Sequence, residues 1–150
     1  MRHRPAPLHF RPVNGCVFCQ IVAGTSPSWT VYEDDAAIAF MDINPATDGH
    51  TLVIPRAHVS DVWQIDEDTA RDVMAAAVRV AAAIRSALSP DGINMFQATG
   101  TAAFQSVFHF HFHLVPRWFG DPIRLPFVPR PGDRTKIQAV SEKIRAVTTG

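Results

Sequence analysis

The stretch Phe108-His109-Phe110-His111-Phe112-His113-Leu114-Val115 holds three of the seven histidines of the chain, with one aromatic residue between neighbouring histidines. Successive side chains of a β-strand point to opposite faces, so a strand here would place His109, His111 and His113 on one face and the phenylalanines on the other. A helix fits poorly, because side chains two residues apart diverge around its axis. The stretch therefore predicts a strand with one face for chemistry and one for the core.

Composition favours a small-molecule partner. The chain has 150 residues, 47% of them hydrophobic, which predicts one globular domain. Lys plus Arg and Asp plus Glu both number 14, so no net charge favours nucleic acid or an anionic membrane. No apolar run approaches the roughly 20 residues that span a bilayer. We therefore expect a cytoplasmic protein that binds neither nucleic acid nor membrane.

Apolar alternation and helical spacing predict the other elements. Strands are expected over 31–33, 36–41, 50–55 and 93–98, with a flexible connection over 99–103. A short helix over 16–23 should end at Gly24, a helix of about 22 residues should follow Asp66 as N-cap, and a last helix should follow Asp133. In the helix after Asp66, the residues expected to face inward are Ala70, Val73, Met74, Ala77, Val80, Ala81, Ile84 and Leu88. In the helix after Asp133, they are Ile137, Val140, Ile144 and Val147.

Cys16 and Cys19 predict a metal site. Two cysteines separated by two residues, with two distant histidines, match the composition of closed tetrahedral zinc sites. A redox motif would follow a buried strand, and none is predicted before Cys16. In a competing interpretation the three histidines of the strand bind a catalytic zinc, which leaves the cysteines without a role.

A free imidazole in this strand suits nucleophilic chemistry. With a reference pKa near 6.5, His111 can be neutral at physiological pH and attack phosphorus, forming a phospho-histidine that water hydrolyses. His113 can hold phosphate oxygens or transfer a proton, and Ser106 with nearby backbone N–H groups can bind the phosphoryl oxygens.

Residues 105–115 resemble the signature of the histidine triad (HIT) superfamily, His-φ-His-φ-His-φ-φ with φ apolar. The segments CVFCQIVAG (16–24), AFMDINPATDGHTLVIPRAH (39–58) and GINMFQATGTAAFQSV (92–107) follow the order found in that family. The resemblance covers residues 16–118, between a mobile tail over 1–15 and a C-terminal extension over 119–150 with a helix. It is closest to the bacterial nucleoside phosphoramidase-like branch.

The resemblance implies an α+β fold, with an antiparallel sheet of about five strands under a long helix, and a homodimer. It implies a hydrolase acting at the α-phosphorus of nucleoside 5'-phosphate derivatives, purine nucleotides favoured, through a nucleotidyl-histidine intermediate. The alternative is a nucleotide-binding or scaffold protein with weak or lost catalysis. By the same resemblance, His111 is the nucleophile, and His113, Ser106 and the neighbouring Gln105 contact the phosphate. Asp42 contacts the ribose, and His50 supports the hydrogen-bond chain of the active site. The resemblance also implies one structural zinc per chain, held by Cys16, Cys19, His58 and His109.

Two residues depart from the family pattern. Ala98 stands where an Asn that contacts phosphate is common, and Phe104 stands where a Gly is common. Loss of the Asn removes a donor worth about 1–3 kcal/mol in a charged site. The bulk of Phe104 is expected to narrow the entrance.

Overall fold

The computed structural model describes residues 13–124 and 129–148, so residues 1–12 of the predicted tail lie outside the described part. Within these residues the sheet is built from five strands and is accompanied by three α-helices. They are α1 (Val17–Val22), β1 (Thr30–Glu33), β2 (Ala37–Met41), β3 (Thr51–Pro55), α2 (Glu67–Leu88), β4 (Gly92–Phe96), β5 (Phe112–Arg117) and α3 (Arg134–Thr148). None of the helices in this part of the chain is long and apolar enough to cross a membrane.

The sheet is antiparallel throughout, in the order β1-β2-β3-β5-β4. This confirms the expected α+β architecture, a sheet of five strands with a long helix across it. Strands β3 and β5 lie side by side in its interior, with Leu52 opposite His113. Strand β4 forms one edge, and all five of its residues are exposed.

The two faces of the sheet carry separate cores. On one face, α2 packs against β2, β3 and β5 through a cluster that includes Val53, Val73, Phe110 and Leu114. On the other face, Phe18 of α1 packs with the alternate residues of β2 and β3, Ile38, Phe40, Leu52 and Ile54. Burial on both faces explains why β2 and β3 are almost wholly apolar.

Helix α2 matches its sequence pattern closely. Asp66 is the N-cap, and its carboxylate accepts a hydrogen bond from the Thr69 backbone N–H at 2.9 Å. Two inward assignments are wrong, since Met74 is 37% exposed and Leu88 is 41% exposed. Ala76, which was not predicted to face inward, is fully buried, so the buried stripe is rotated slightly toward it.

The histidine strand is shorter than predicted. Strand β5 begins at Phe112, so His109 and His111 lie in the extended segment that leads into it. The β3–β5 register places Pro55 opposite Phe110, and proline has no N–H to continue the ladder. The Phe110 N–H instead donates to the Val59 carbonyl at 2.6 Å. Phe108 is 47% exposed, so it does not belong to the core as predicted.

Helix α3 forms where it was predicted, but its apolar side does not pack inward. The Asp133 carboxylate accepts hydrogen bonds from the Thr135 and Lys136 backbone N–H groups at 2.8 and 3.2 Å, as an N-terminal cap does. The four residues predicted to face inward are each more than half exposed: Ile137, Val140, Ile144 and Val147. The connection predicted to be flexible also has local structure, a 3-10 helix over Thr101–Ala103.

Candidate active site and metal centre

Two cysteines and two histidines converge beside α1. Cys16 is the N-cap of α1 and Cys19 lies one turn later, while His58 follows β3 and His109 precedes β5. Their ligand atoms all lie within 4.8 Å of one another. The Cys19 sulfur is 3.2 Å from His58 Nδ1 and 3.7 Å from His109 Nδ1, and the Cys16 sulfur is 3.6 Å from His109 Nδ1. A tetrahedral zinc with its usual bond lengths separates S and N ligands by about 3.6 Å. The spacing of the four groups fits that metal.

The protonation of His109 also suits a metal ligand. Its Nε2 lies 2.8 Å from the Pro55 carbonyl oxygen, which can only accept, so the ring proton is on Nε2 and the Nδ1 lone pair faces the two sulfurs. Burial lowers the pKa of His109 to about 4, which keeps the ring neutral. Burial also raises the pKa of the Cys19 thiol, so a stable thiolate there needs a cation beside it.

Helix α1 connects this cluster to a large cavity. Cys16 and Cys19 are directed toward His58 and His109. Val17, Phe18 and Ile21, from the same segment, line a cavity of about 680 Å³. The edge-on Phe18 ring lies 5.9 Å from the His109 ring and 5.3 Å from the His111 ring, between centroids. This short helix and its N-cap therefore supply two of the four candidate metal ligands and one wall of the cavity.

The cavity brings most of the predicted site residues together. Its lining includes Asp42, Ser106, His111 and His113, and its other lining residues are mainly apolar. Its volume lies within the usual range for small-molecule sites, about 300–1,000 Å³. A few polar groups in a mainly apolar cavity suit a ligand with a flat ring and a charged head.

The backbone fixes the tautomer of His111. Its Nδ1 donates to the His109 carbonyl oxygen at 2.7 Å, so in the neutral ring the Nε2 nitrogen carries the lone pair. Burial lowers the pKa of His111, which favours that neutral form. His111 is buried and lines the cavity. It therefore has the properties of a nucleophile.

His50 and His113 form a hydrogen-bond chain in which each proton can be placed. The Ala46 backbone N–H donates to His50 Nδ1 at 3.0 Å, which leaves the His50 proton on Nε2. That N–H donates to His113 Nδ1 at 2.9 Å, so the proton of neutral His113 is on Nε2. Burial, with smaller contributions from His111 and His50, lowers the pKa of His113 to about 4. His113 is thus a neutral donor.

The same assignment argues against a second metal. Ligand atoms of Asp42, His50 and His113 also lie within 4.8 Å of one another. Because His50 Nδ1 already accepts the Ala46 N–H, its Nε2 carries a proton and has no lone pair for a cation. Its Nε2 also lies 3.5 Å from the Asp42 carboxylate, whose negative charge therefore acts on the ring.

The loop before the triad is held closed by Gln105. Its buried side-chain amide accepts from the Gly100 N–H at 2.7 Å and donates to the Ser60 carbonyl at 2.7 Å. Phe104 has a left-handed backbone, φ 65°, and an 87% exposed side chain. The Gln105 amide is thus engaged with backbone atoms, and the next two residues of the loop, Ser106 and Val107, line the cavity.

Comparisons with known proteins place the chain in a family. A model described as the HIT domain matches residues 23–120. The chain belongs to the HIT domain family. This HIT domain protein is 45% identical over 103 residues to "Protein hit" of Bacillus subtilis. The matched region covers 69% of this chain and 71% of the relative. The recognition of the family from the triad signature is confirmed.

Two solved structures resemble the HIT domain protein over most of its length. One is a zinc-bound histidine triad family protein from Mycobacterium smegmatis, with a TM-score of 0.71, 39% identity, and coverage of 88% of this chain and 96% of that one. The other is a histidine triad nucleotide-binding protein from Candida albicans, with a TM-score of 0.80, 26% identity, and coverage of 90% and 98%. The HIT fold expected from the sequence is confirmed.

Several features of the site of this HIT domain protein were missed by the sequence reasoning. Phe18 and its helical neighbours Val17 and Ile21 line the cavity, and their position on a helix with Cys16 and Cys19 was the available signal. Phe96 stacks on His113. The hydrogen bonds that set the histidine tautomers come from backbone atoms, for which side-chain patterns carry no signal.

Proposed function

We propose that this HIT domain protein is a nucleotide-binding hydrolase that acts at the α-phosphorus of nucleoside 5'-phosphate derivatives, phosphoramidates or phosphoanhydrides. The observation that carries the proposal is the fixed tautomer of His111, a buried neutral imidazole that lines the cavity and has its lone pair on Nε2. The Candida albicans neighbour, which is described as nucleotide-binding, supports the choice of ligand.

In the proposed reaction, His111 Nε2 forms a bond to the α-phosphorus while the bond from phosphorus to the leaving nitrogen or oxygen breaks. The leaving atom takes a proton from solvent water, and a nucleotidyl-histidine remains. A second water then attacks the same phosphorus and loses a proton to solvent as the bond from phosphorus to Nε2 breaks, which restores His111 and releases a nucleoside monophosphate. The substrate supplies the leaving group, and no redox partner is required.

The other polar residues have separate roles in this proposal. His113 Nε2–H and the Ser106 hydroxyl donate to the phosphoryl oxygens, whose negative charge increases in the transition state. His50 keeps His113 in the donor tautomer through the 2.9 Å bond. Asp42 binds the ribose hydroxyls. Its Oδ1 accepts the Asn44 N–H at 2.8 Å, and its Oδ2 lies 3.5 Å from His50 Nε2. Gln105 acts by holding the loop, and the apolar walls take the base, a purine by preference.

The cluster of Cys16, Cys19, His58 and His109 is proposed to hold one structural zinc per chain. Its S–N distances of 3.2–3.7 Å and the tautomer of His109 support this assignment, as does the zinc-bound Mycobacterium smegmatis neighbour. Bound there, the metal would tie α1 to the segments before and after the long helix. It would supply stability and leave the chemistry to the histidines.

A homodimer is proposed through the β4 edge. An unpaired edge strand with exposed apolar side chains is unusual in a stable monomer. Ile93, Met95 and Phe96 of β4 are 39%, 44% and 48% exposed. Pairing of two β4 strands would cover them, and sedimentation equilibrium should then give twice the chain mass.

The test is a panel of adenosine and guanosine phosphoramidates, dinucleoside polyphosphates and aminoacyl adenylates, assayed with wild type and with His111→Asn. We expect wild-type turnover of at least one class and loss of about three or more orders of magnitude in His111→Asn, because the covalent route is removed. Ser28→Ala, which changes another residue at the cavity, is the control. Equal turnover by His111→Asn would refute the nucleophile assignment. Tight binding of nucleoside monophosphates without turnover of any substrate would favour the alternative, a nucleotide-binding or scaffold protein.

A further inference from the structure

Phe96 contacts His113, one of the proposed catalytic histidines, and is not among the residues that line the cavity. It is the cross-strand partner of His113 in the β4–β5 pairing. The two rings are stacked, with centroids 4.3 Å apart and planes 9° apart. We infer that Phe96 is a positioning residue that holds the His113 imidazole in the orientation needed to contact the phosphate. This inference rests on the proposed function.

The orientation of the His113 ring requires such support. The terminal torsion of a histidine is broad and nearly two-fold, so the backbone does not select between the two ring orientations. The hydrogen bond from His50 to Nδ1 selects between these two, because a half-turn would replace Nδ1 by a carbon. The tilt of the ring plane is also broad, and it needs a further contact. The rings of His111 and His50 lie at 60° and 45° to that of His113, so they touch it at an angle. Phe96 covers a flat face of the ring in a parallel arrangement.

The stack also holds the ring when the hydrogen bond weakens. The bond from His50 to His113 depends on which nitrogens carry protons, and those positions change if His113 transfers a proton during turnover. Stacking of two flat rings depends on area and distance, and it persists in either protonation state. Phe96 can therefore keep His113 in place throughout the reaction.

Phe96 is placed to act through His113. It is absent from the residues that line the cavity, so it does not bind the ligand directly. It is 48% exposed on an edge strand and belongs to neither core cluster. Its substitution should consequently leave the fold and the binding of substrate intact while it lowers the rate of the chemical step.

The experiment compares Phe96→Leu, Phe96→Tyr and a control, Met95→Leu. Leucine keeps an apolar side chain without a flat ring, and tyrosine keeps the ring. Met95 is 44% exposed and points to the opposite face of the same strand. We expect Phe96→Leu to lower kcat about three- to tenfold, the usual worth of an aromatic pair, at constant KM. Phe96→Tyr and Met95→Leu should keep the wild-type kcat, and all three variants should remain folded and unfold in one cooperative transition.

Nitrogen-15 NMR of the His113 ring gives a second readout that does not need turnover. With adenosine monophosphate bound, wild type should show one tautomer with the proton on Nε2, and Phe96→Leu should show a mixture. This measurement tests the inference even if no substrate is hydrolysed. Absence of hydrolysis would count against the proposed function alone. An unchanged His113 spectrum in Phe96→Leu overturns the inference, as does an equal loss of kcat in Phe96→Tyr. Phe96 also lies at the proposed β4–β4 interface, so gel filtration is run on each variant. A loss of kcat that accompanies a changed oligomeric state would assign the effect to that interface and also overturn the inference.

Discussion

Removal of the metal should destabilise the fold and weaken nucleotide binding together, because α1 takes part in both. Helix α1 has six residues, well below the length at which an isolated helix is stable in water. Without a metal to hold Cys16 and Cys19, we expect it to detach from the sheet. Its detachment exposes Phe18, which is only 6% exposed in the folded state, and removes one wall of the cavity.

The size of the effect follows from Phe18. Burial of a phenylalanine side chain is worth about 1.5–3 kcal/mol. A domain of about this size loses about 2–4 °C of melting temperature per kcal/mol, so chelation should lower the melting temperature by about 3–12 °C. A loss of 1.4 kcal/mol at the cavity wall alone weakens nucleotide affinity about tenfold.

The assay measures metal content, melting temperature and the Kd for adenosine monophosphate before and after dialysis against a chelator. Cys19→Ser should match the chelated wild type in all three quantities. Added zinc should restore the chelated wild type and leave Cys19→Ser unchanged, which separates loss of the site from general damage. Purified protein without metal, or chelated protein with unchanged melting temperature and Kd, would refute the reasoning.

Three further predictions concern stability. Gly49 has φ +86°, and a Cβ there would run into the Leu88 side chain. The control Gly24 has φ +73°, and a Cβ there meets no neighbouring atom. Gly49→Ala should therefore lower the free energy of unfolding, measured by urea denaturation, by more than Gly24→Ala does. The pKa of His113 is about 4 in the folded chain and near 6.5 in the unfolded chain. As the pH is lowered from 6.5 to 4, the free energy of unfolding should decrease, because the unfolded chain binds a proton that the folded chain does not. A free energy of unfolding that stays constant over this range would contradict the prediction. Gln105→Ala should cost about 1–3 kcal/mol by calorimetry, because it leaves buried backbone groups unpaired, and an unchanged melting temperature would reject that role.

The sequence predicted the elements whose signals are local. Asp66 at the start of an apolar stripe located α2 within a residue at each end, and the alternating histidines located β5 and the segment that leads into it. The spacing of Cys16 and Cys19 predicted a metal site, and the structure brings His58 and His109 to it.

The rest depends on contacts between distant segments. The start of β5 at Phe112 depends on Pro55 lying opposite Phe110, which requires the strand register. The tautomers of His109 and His111 depend on the carbonyls of Pro55 and His109, which accept hydrogen bonds from the rings. The tautomer of His113 depends on His50, whose Nδ1 accepts the Ala46 N–H. Helix α3 shows the reverse case, since its apolar spacing predicts an inward face and the described residues offer it no core to pack against.

The central claim, that His111 is a nucleophile in a fixed tautomer, is tested most directly by trapping the intermediate. Wild-type protein mixed with an adenosine phosphoramidate and quenched in base, where phospho-histidine survives, should gain the mass of an adenylyl group. Peptide mapping by mass spectrometry should locate that group on His111, and His111→Asn should carry none. An adduct on another residue, or steady turnover without any adduct in rapid-quench samples, would contradict the account.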